Sequence, residues 1–169
     1  MSERSKRIWH IILSSLILAT LAFIFTNSAL PREQSSEFSH GVGGLLERIF
    51  PPDTLVGGFL QEHLRKIAHF AEYALLGAEL SLYALVFVKN KRRACAHLPI
   101  IALAVAFLDE SVQMLSGRGP EILDVWIDLF GFLTAALVVI AAALLTAHIR
   151  ACKGTSKEEI GRASCRERV

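Results

Sequence analysis

Ionisable side chains interrupt two of the apolar stretches of this 169-residue chain. His69 and Glu72 lie in one stretch, and Asp109 and Glu110 lie in another. An imidazole beside carboxylates can accept and donate protons, so these four residues are candidates for general acid–base catalysis. A charged side chain at the centre of a bilayer costs roughly 2.5 to 3.5 kcal/mol even on lenient insertion scales. We therefore expect these residues to have partners, water or a function.

The distribution of charge along the chain indicates an integral membrane protein. Hydrophobic residues make up 53% of the sequence and the mean hydropathy is +0.45, which is high for a soluble domain. The charged residues collect in the clusters Ser2–Arg7, Arg32–Lys66, Lys89–Arg93 and Arg150–Arg168. The net charge of +2 does not indicate a nucleic-acid partner. The cysteines form no zinc-binding or disulfide pattern.

Four apolar runs are long enough to cross the ~30 Å hydrocarbon core of a bilayer. We predict transmembrane helices at about residues 8–25, 67–88, 94–115 and 125–148, which form one all-α domain over residues 1–153. Basic residues precede the first helix, fill the loop between the second and third, and follow the fourth. The positive-inside rule then places both ends of the chain in the cytoplasm, which is an N-in and C-in topology.

The segment between the first two helices is predicted to be extracytoplasmic and to carry short surface helices. Apolar residues recur at helical spacing over residues 38–49, and Asp53 is a candidate N-cap for a second stretch, Leu55–Leu64. At the other end, residues 154–169 are expected to form a disordered tail. Its final part, Glu159–Val169, is similar to the translation of a common sequencing-adapter oligonucleotide, and we interpret it as foreign sequence.

The predicted topology brings the polar residues of three helices to one level near the outer face. The second helix enters the membrane there, the third leaves there and the fourth enters again, so these residues lie within ~10 Å of the surface at 1.5 Å per residue. We predict a ligand-binding site formed by Lys66, His69, Glu72, Tyr73, Asp109, Glu110, Gln113, Arg118, Asp124 and Asp128. Arg118 is expected to hold a carboxylate through its planar guanidinium, with Arg65 and Lys66 as further candidate cations. Glu79 lies two turns deeper than Glu72, and the sequence indicates no partner for it.

These residues resemble the motif pattern of the VanZ-like family of small bacterial membrane proteins. The matching pieces are Lys66-Ile-Ala-His69-Phe70-x-Glu72-Tyr73-x-x-x-Gly77, Asp109-Glu110-x-x-Gln113, Gly117-Arg118, and Asp124 with Gly131. The segment Phe25–Ser39, which includes Ser28, is similar to the serine-bearing stretch that follows the family's first helix. The resemblance implies a helical protein of the bacterial cytoplasmic (inner) membrane, linked with resistance to the glycopeptide teicoplanin, and it implies no settled mechanism. This chain has Asp128 where the family usually has Asn.

The residues leave four interpretations open. One is a site that binds an envelope lipid or the glycopeptide. Another is an intramembrane enzyme acting on a lipid-linked phosphate, with His69 as general base, Glu72 or Asp109 orienting it and Arg118 holding the phosphate. A metal site would use His69, Glu72, Asp109 and Glu110, but intramembrane carboxylates more often pair with cations, so we predict no metal and no cofactor. The last is a structural ion-pair network that determines helix packing. The expected partners are membrane lipids, and a homo-oligomer is compatible with every interpretation.

Overall fold

The computed structural model describes residues 2–30, 54–116 and 122–166. Over these ranges the chain forms four α-helices and no β-strand: α1 (Glu3–Ala29), α2 (Leu55–Phe87), α3 (Lys91–Leu115) and α4 (Ile122–Arg166). Each helix contains a stretch that is long and apolar enough to cross a membrane, namely Glu3–Ala29, His63–Phe87, Lys91–Leu115 and Ile122–Ala151. The predicted all-α architecture with four membrane spans is confirmed.

The second helix begins earlier than the sequence predicted. The stretch Leu55–Leu64 is not a separate surface helix but forms the first turns of α2. Its N-cap is Thr54, where Asp53 was predicted, and the Thr54 hydroxyl accepts a hydrogen bond of 3.0 Å from Gly57 N. The helix continues because the sequence from Leu64 to Ile67 contains no proline or glycine to end it. The surface helix predicted over residues 38–49 lies outside the described residues.

The fourth helix continues well past its apolar stretch. Helical backbone runs to Arg166, beyond the predicted end at residue 148 and through most of the segment for which a disordered tail was predicted. The stretch that can cross a membrane ends at Ala151. The residues that follow include lysine and glutamate, which favour a helix, together with Gly154 and Gly161, which weaken it, and no proline that would end it. The interpretation of Glu159–Val169 as foreign sequence stays a prediction.

The first two helices run antiparallel, as contacts near both ends show. At one end the Asn27 amide donates a hydrogen bond of 3.1 Å to Glu72, which joins the last turn of α1 to the middle of α2. At the other end Tyr83 Oη lies 2.9 Å from His10 Nε2. We call the end where α1 and α3 finish and α2 and α4 begin the polar end. The opposite end carries the clusters of basic residues.

The helices α2 and α4 run parallel and pack closely against each other because glycine occupies both contact positions. An ideal Cβ atom built on Gly77 would lie 2.9 Å from Phe132 Cα, with the Phe132 carbonyl oxygen closer still. One built on Gly131 would lie 3.1 Å from Phe70 Cα. Small residues allow helix backbones to approach in this way in membranes. The close approach in turn places Arg65 and His69 of α2 beside Asp124 and Asp128 in the first turns of α4.

We expect Gly131→Ala to lower the free energy of unfolding by about 1–2 kcal/mol, as overpacked positions do. The added methyl group would meet the backbone of Phe70, which cannot rotate away as a flexible side chain can. Unfolding in detergent, followed by circular dichroism, measures the change. Ala142→Val serves as the control, since it adds carbon atoms at an exposed position of the same helix. Equal stability of the two variants would contradict the proposed contact.

The buried face of α3 changes from apolar to polar along its length. Leu98, Ala102 and Ala106 are buried in the apolar core. Asp109 and Gln113 continue the same face at helical spacing and are fully buried as well. The hydrophobic core therefore ends where α3 nears the polar end, and a buried polar region begins there.

Candidate functional site

All four helices contribute buried or half-buried polar side chains to one region at the polar end. We call this region the polar cluster, and it comprises Asn27, Ser28, Arg65, His69, Glu72, Tyr73, Asp109, Glu110, Gln113, Asp124 and Asp128. Eight of the ten residues predicted from the sequence are among them. Lys66 is half-buried on α2 beside Arg65. Arg118 lies outside the described residues.

Asp109 connects three of the helices. Its Oδ1 atom accepts a short hydrogen bond from the Ser28 hydroxyl of α1. Its Oδ2 atom accepts a hydrogen bond of 3.1 Å from Gln113 Nε2, one turn further along α3. The same Oδ2 atom lies 4.0 Å from His69 Nδ1 of α2. Because the side chain is completely buried, these polar contacts replace the water that would otherwise solvate it.

His69 lies closest to a carboxylate of the fourth helix. Its Nδ1 atom is 3.4 Å from Asp128 Oδ1, an ion-pair distance slightly longer than an ordinary hydrogen bond. The sequence predicted Glu72 or Asp109 as the residue that orients His69. The structure places Asp128 nearer than Asp109, and Glu72 instead accepts a hydrogen bond from Asn27.

Several buried atoms of the cluster have unused hydrogen-bonding capacity. Within the described part of the chain, no hydrogen-bond partner lies at His69 Nδ1, at either oxygen of Asp128 or at the Tyr73 hydroxyl. The Asp128 and Tyr73 side chains are completely buried, and His69 is 5% exposed. Unsatisfied buried polar groups are costly and uncommon in folded proteins, so the cluster can accept a bound ion or polar group.

Arg65 lies at the edge of the cluster and joins two helices to α2. Its Nη2 atom donates a hydrogen bond of 2.8 Å to Gln113 Oε1 and lies 3.5 Å from Asp124 Oδ2. The Arg65 side chain is 38% exposed, whereas that of Asp124 is 3% exposed. The charged group therefore spans from solvent to the buried carboxylate. This is the carboxylate-holding role that the sequence assigned first to Arg118.

Polar residues of α1 complete the arrangement, and they were absent from the predicted site. Asn27 pairs with Glu72, and the Ser28 hydroxyl binds Asp109. Thr20 donates a hydrogen bond of 3.1 Å to Glu79, which supplies the partner that the sequence did not indicate. Glu79 is buried two turns below the polar cluster and is not part of it. The available signal was the placement of Asn27 and Ser28 at the C-terminal end of a mostly apolar helix.

The charge and geometry of the cluster suit proton transfer or cation binding. Its carboxylates outnumber its cationic side chains among the described residues. With Nδ1 of His69 facing Asp109 and Asp128, proton exchange with a ligand would fall to the other ring nitrogen. A carboxylate that contacts one imidazole nitrogen orients the ring so that the other nitrogen can act as a general base, as in the catalytic triads of hydrolases.

The comparison with known families agrees with these observations. No curated protein and no solved structure matches the chain. A family model described as VanZ/LLP1 matches residues 13–145, a range that contains the whole polar cluster. The match covers most of a helical chain with four membrane spans, and this protein therefore belongs to the VanZ/LLP1 family.

Proposed function

We propose that the polar cluster binds the headgroup of an envelope lipid at the outer face of the bacterial cytoplasmic membrane. The observation that carries the proposal is the convergence of buried polar side chains from all four helices at one end of a membrane bundle. That end lies at the depth of lipid headgroups when the helices span the membrane. A lipid can therefore reach the cluster from the bilayer without crossing the apolar core.

The proposed orientation places the polar end outside the cell. The basic residues of Ser2–Arg7 and Lys89–Arg93 lie at the opposite end of the bundle, beside the start of α1 and the α2–α3 turn. Clusters of lysine and arginine in short loops mark the cytoplasmic side. Both ends of the chain then face the cytoplasm.

The polar cluster suits a headgroup that combines a phosphate with hydrogen-bond donors. The half-exposed guanidinium of Arg65 can bind phosphate oxygens at the edge of the cluster. The carboxylates behind it can accept hydrogen bonds from ammonium or hydroxyl groups, and Asp128 has both oxygens available. Phosphatidylethanolamine and phosphatidylglycerol carry both kinds of group.

Lipid binding is tested with the purified protein in nanodiscs of phosphatidylcholine, in a buffer that contains EDTA. Phosphatidylethanolamine, phosphatidylglycerol or an isoprenoid phosphate is added, and binding is counted by native mass spectrometry. We expect saturable binding that His69→Gln or Glu72→Gln weakens about tenfold, the effect of one lost hydrogen bond of about 1.4 kcal/mol. Thr134→Val is the control, because that hydroxyl is exposed and donates to the Phe130 carbonyl of its own helix.

The variants also separate a binding site from a purely structural network. A binding site predicts weaker lipid binding by a variant that inserts and unfolds normally. A structural network predicts loss of the folded protein, or equal binding by the wild type and the folded variants, and either result would contradict the proposal.

The family's link with teicoplanin suggests a physiological consequence of lipid binding. A protein that holds an envelope lipid at the outer face can change the membrane surface on which a lipid-bearing glycopeptide acts. Expression of the wild type in a susceptible host should then raise the inhibitory concentration of teicoplanin, and His69→Gln should abolish the rise. Unchanged susceptibility with confirmed membrane insertion would exclude the resistance role.

A second function, hydrolysis of a lipid-linked phosphate ester, is favoured by the contact of His69 with Asp128 at 3.4 Å. His69 would take a proton from water, the water oxygen would bond to phosphorus, and the lipid alkoxide would leave and take up a proton. Release of inorganic phosphate from an isoprenoid phosphate, lost in His69→Gln, would support it. Absence of release by the wild type would exclude it for that substrate.

A further inference from the structure

We propose that His69, Asp109 and Asp128 bind a divalent transition-metal ion inside the bundle. One ligand atom from each residue lies within 4.8 Å of the other two, and the residues come from α2, α3 and α4. All three side chains are buried. The inference goes beyond lipid binding and does not depend on it.

The separations are close to those of a metal-bound set. Ligands bound tetrahedrally at 2.0–2.1 Å lie about 3.3–3.4 Å apart, as around zinc. His69 Nδ1 is 3.4 Å from Asp128 Oδ1 and 4.0 Å from Asp109 Oδ2. The first distance fits directly, and the second requires a contraction of about 0.6–0.7 Å to reach that tetrahedral spacing. The ligand oxygens of Asp109 and Asp128 lie within 4.8 Å of each other, so they would also have to approach when the ion binds.

The unused polar atoms support an ion more strongly than the acidic residues do alone. His69 Nδ1 and both Asp128 oxygens are buried and have no hydrogen-bond partner among the described residues. Buried carboxylate oxygens that face an imidazole nitrogen without a hydrogen bond need a cation or a donor between them, because no water solvates their charge. A metal ion would bind the His69 nitrogen and an Asp128 oxygen at the same time. A shared proton does this less well, because the 3.4 Å between the two atoms is long for a hydrogen bond.

Asp109 is held in position by hydrogen bonds, as metal-binding carboxylates usually are. Ser28 and Gln113 both donate hydrogen bonds to its carboxylate and so restrain its orientation. Such outer hydrogen bonds commonly hold metal-binding carboxylates in position. Asp128 has no equivalent donor among the described residues, so the ion would be its main partner.

One imidazole and two carboxylates favour zinc or manganese over calcium or magnesium. Calcium takes six to eight oxygen ligands, and magnesium usually keeps several waters beside one or two carboxylates. Imidazole and carboxylate together suit zinc and manganese. Three protein ligands also leave a coordination position open, as in catalytic zinc sites. His69 would then be a ligand through Nδ1, and the Asp128–His69 pair would not act as a general base.

The experiment uses tag-free full-length protein in detergent, stripped with EDTA and titrated with zinc without added envelope lipid. Metal content is measured by mass spectrometry after gel filtration. We expect one zinc ion per chain, and a loss of affinity of at least about 100-fold in Asp128→Asn, because a removed ligand costs more than a removed outer hydrogen bond. Glu79→Gln is the matched control, since it alters a buried carboxylate of the same bundle outside the polar cluster.

X-ray absorption of the zinc-loaded wild type tests the ligand set without any variant that has to fold. One imidazole with oxygen ligands supports the proposal. Sulfur ligands or several imidazole ligands in the spectrum overturn the proposal. Zinc content below one ion per chain, or an unchanged zinc affinity in Asp128→Asn, overturns it as well. Since lipid binding is measured in EDTA and metal binding without envelope lipid, failure of one proposal is distinguishable from failure of the other.

Discussion

Replacing Asp109 by alanine is expected to lower the free energy of unfolding by about 3–4 kcal/mol, the largest effect of any single change considered. The substitution removes the acceptor for the Ser28 hydroxyl and the Gln113 amide, and both donors remain buried. Each unsatisfied buried group costs about 1–3 kcal/mol. The loss also weakens the connection of α1 to α3, which then retains the hydrogen bond of 3.1 Å from the Ser116 hydroxyl to the Ser28 carbonyl.

Asp109→Asn is expected to cost only about 1 kcal/mol, close to the value of one hydrogen bond. The amide oxygen can face Gln113, and the amide nitrogen can donate to the Ser28 oxygen once the hydroxyl hydrogen rotates away. Gln113 can therefore keep its bond to Arg65. Unfolding in mixed detergent micelles measures both variants.

The control for this pair is Ser111→Ala, which lies on the same helix. The Ser111 hydroxyl is exposed and donates to the Phe107 carbonyl within α3. If Asp109→Ala is as stable as this control, Asp109 does not connect the helices as the contacts indicate.

Replacing Arg65 by alanine is expected to lower the free energy of unfolding by about 2–3 kcal/mol. Breaking a buried ion pair by removing one partner costs about 3–5 kcal/mol, and the exposure of Arg65 reduces this because water can partly solvate the remaining carboxylate. Asp124 would lose the one cation within 4.0 Å among the described residues, and Gln113 Oε1 would lose its donor.

A double-mutant cycle with Asp124→Asn tests the cause of this loss. Asn removes the buried charge, so Arg65→Ala should cost at least about 1 kcal/mol less in that background, which is a typical coupling for residues in contact. Arg65→Lys should be intermediate, since an ammonium is a point charge that does not reproduce the planar fork of arginine. Strictly additive effects would show that the two residues do not interact.

Much of the fold follows from local sequence. The apolar runs predicted four spans in the right order, and successive spans of one chain cross a membrane in alternating directions. The predicted start of α2 was wrong because the polar residues between Gln61 and Lys66 interrupt the apolar pattern, so Leu55–Leu64 resembled a separate surface helix. The Thr54 cap, which marks the true start, was adjacent to the Asp53 that was predicted.

The membership of the polar cluster was partly predictable. Spacing along α2, α3 and α4 indicated that eight of the predicted residues share one level, because depth depends only on position along each helix. It did not indicate the contribution of α1, since Asn27 and Ser28 are ordinary polar residues at a helix end. It also did not identify Asp128 as the nearest carboxylate to His69.

The sequence by itself determined the four spans, the depth of the ionisable residues and the excess of carboxylates at one end. Only the tertiary structure decided which side chains meet: Asp109 with Ser28, Glu72 with Asn27, Glu79 with Thr20, and His69 between two aspartates. The physical reason is that helical periodicity specifies direction around one helix axis, whereas contact depends on how neighbouring helices are rotated and how closely they approach. Gly77 and Gly131 illustrate the difference, because their missing side chains let α2 and α4 touch and bring Asp128 to His69.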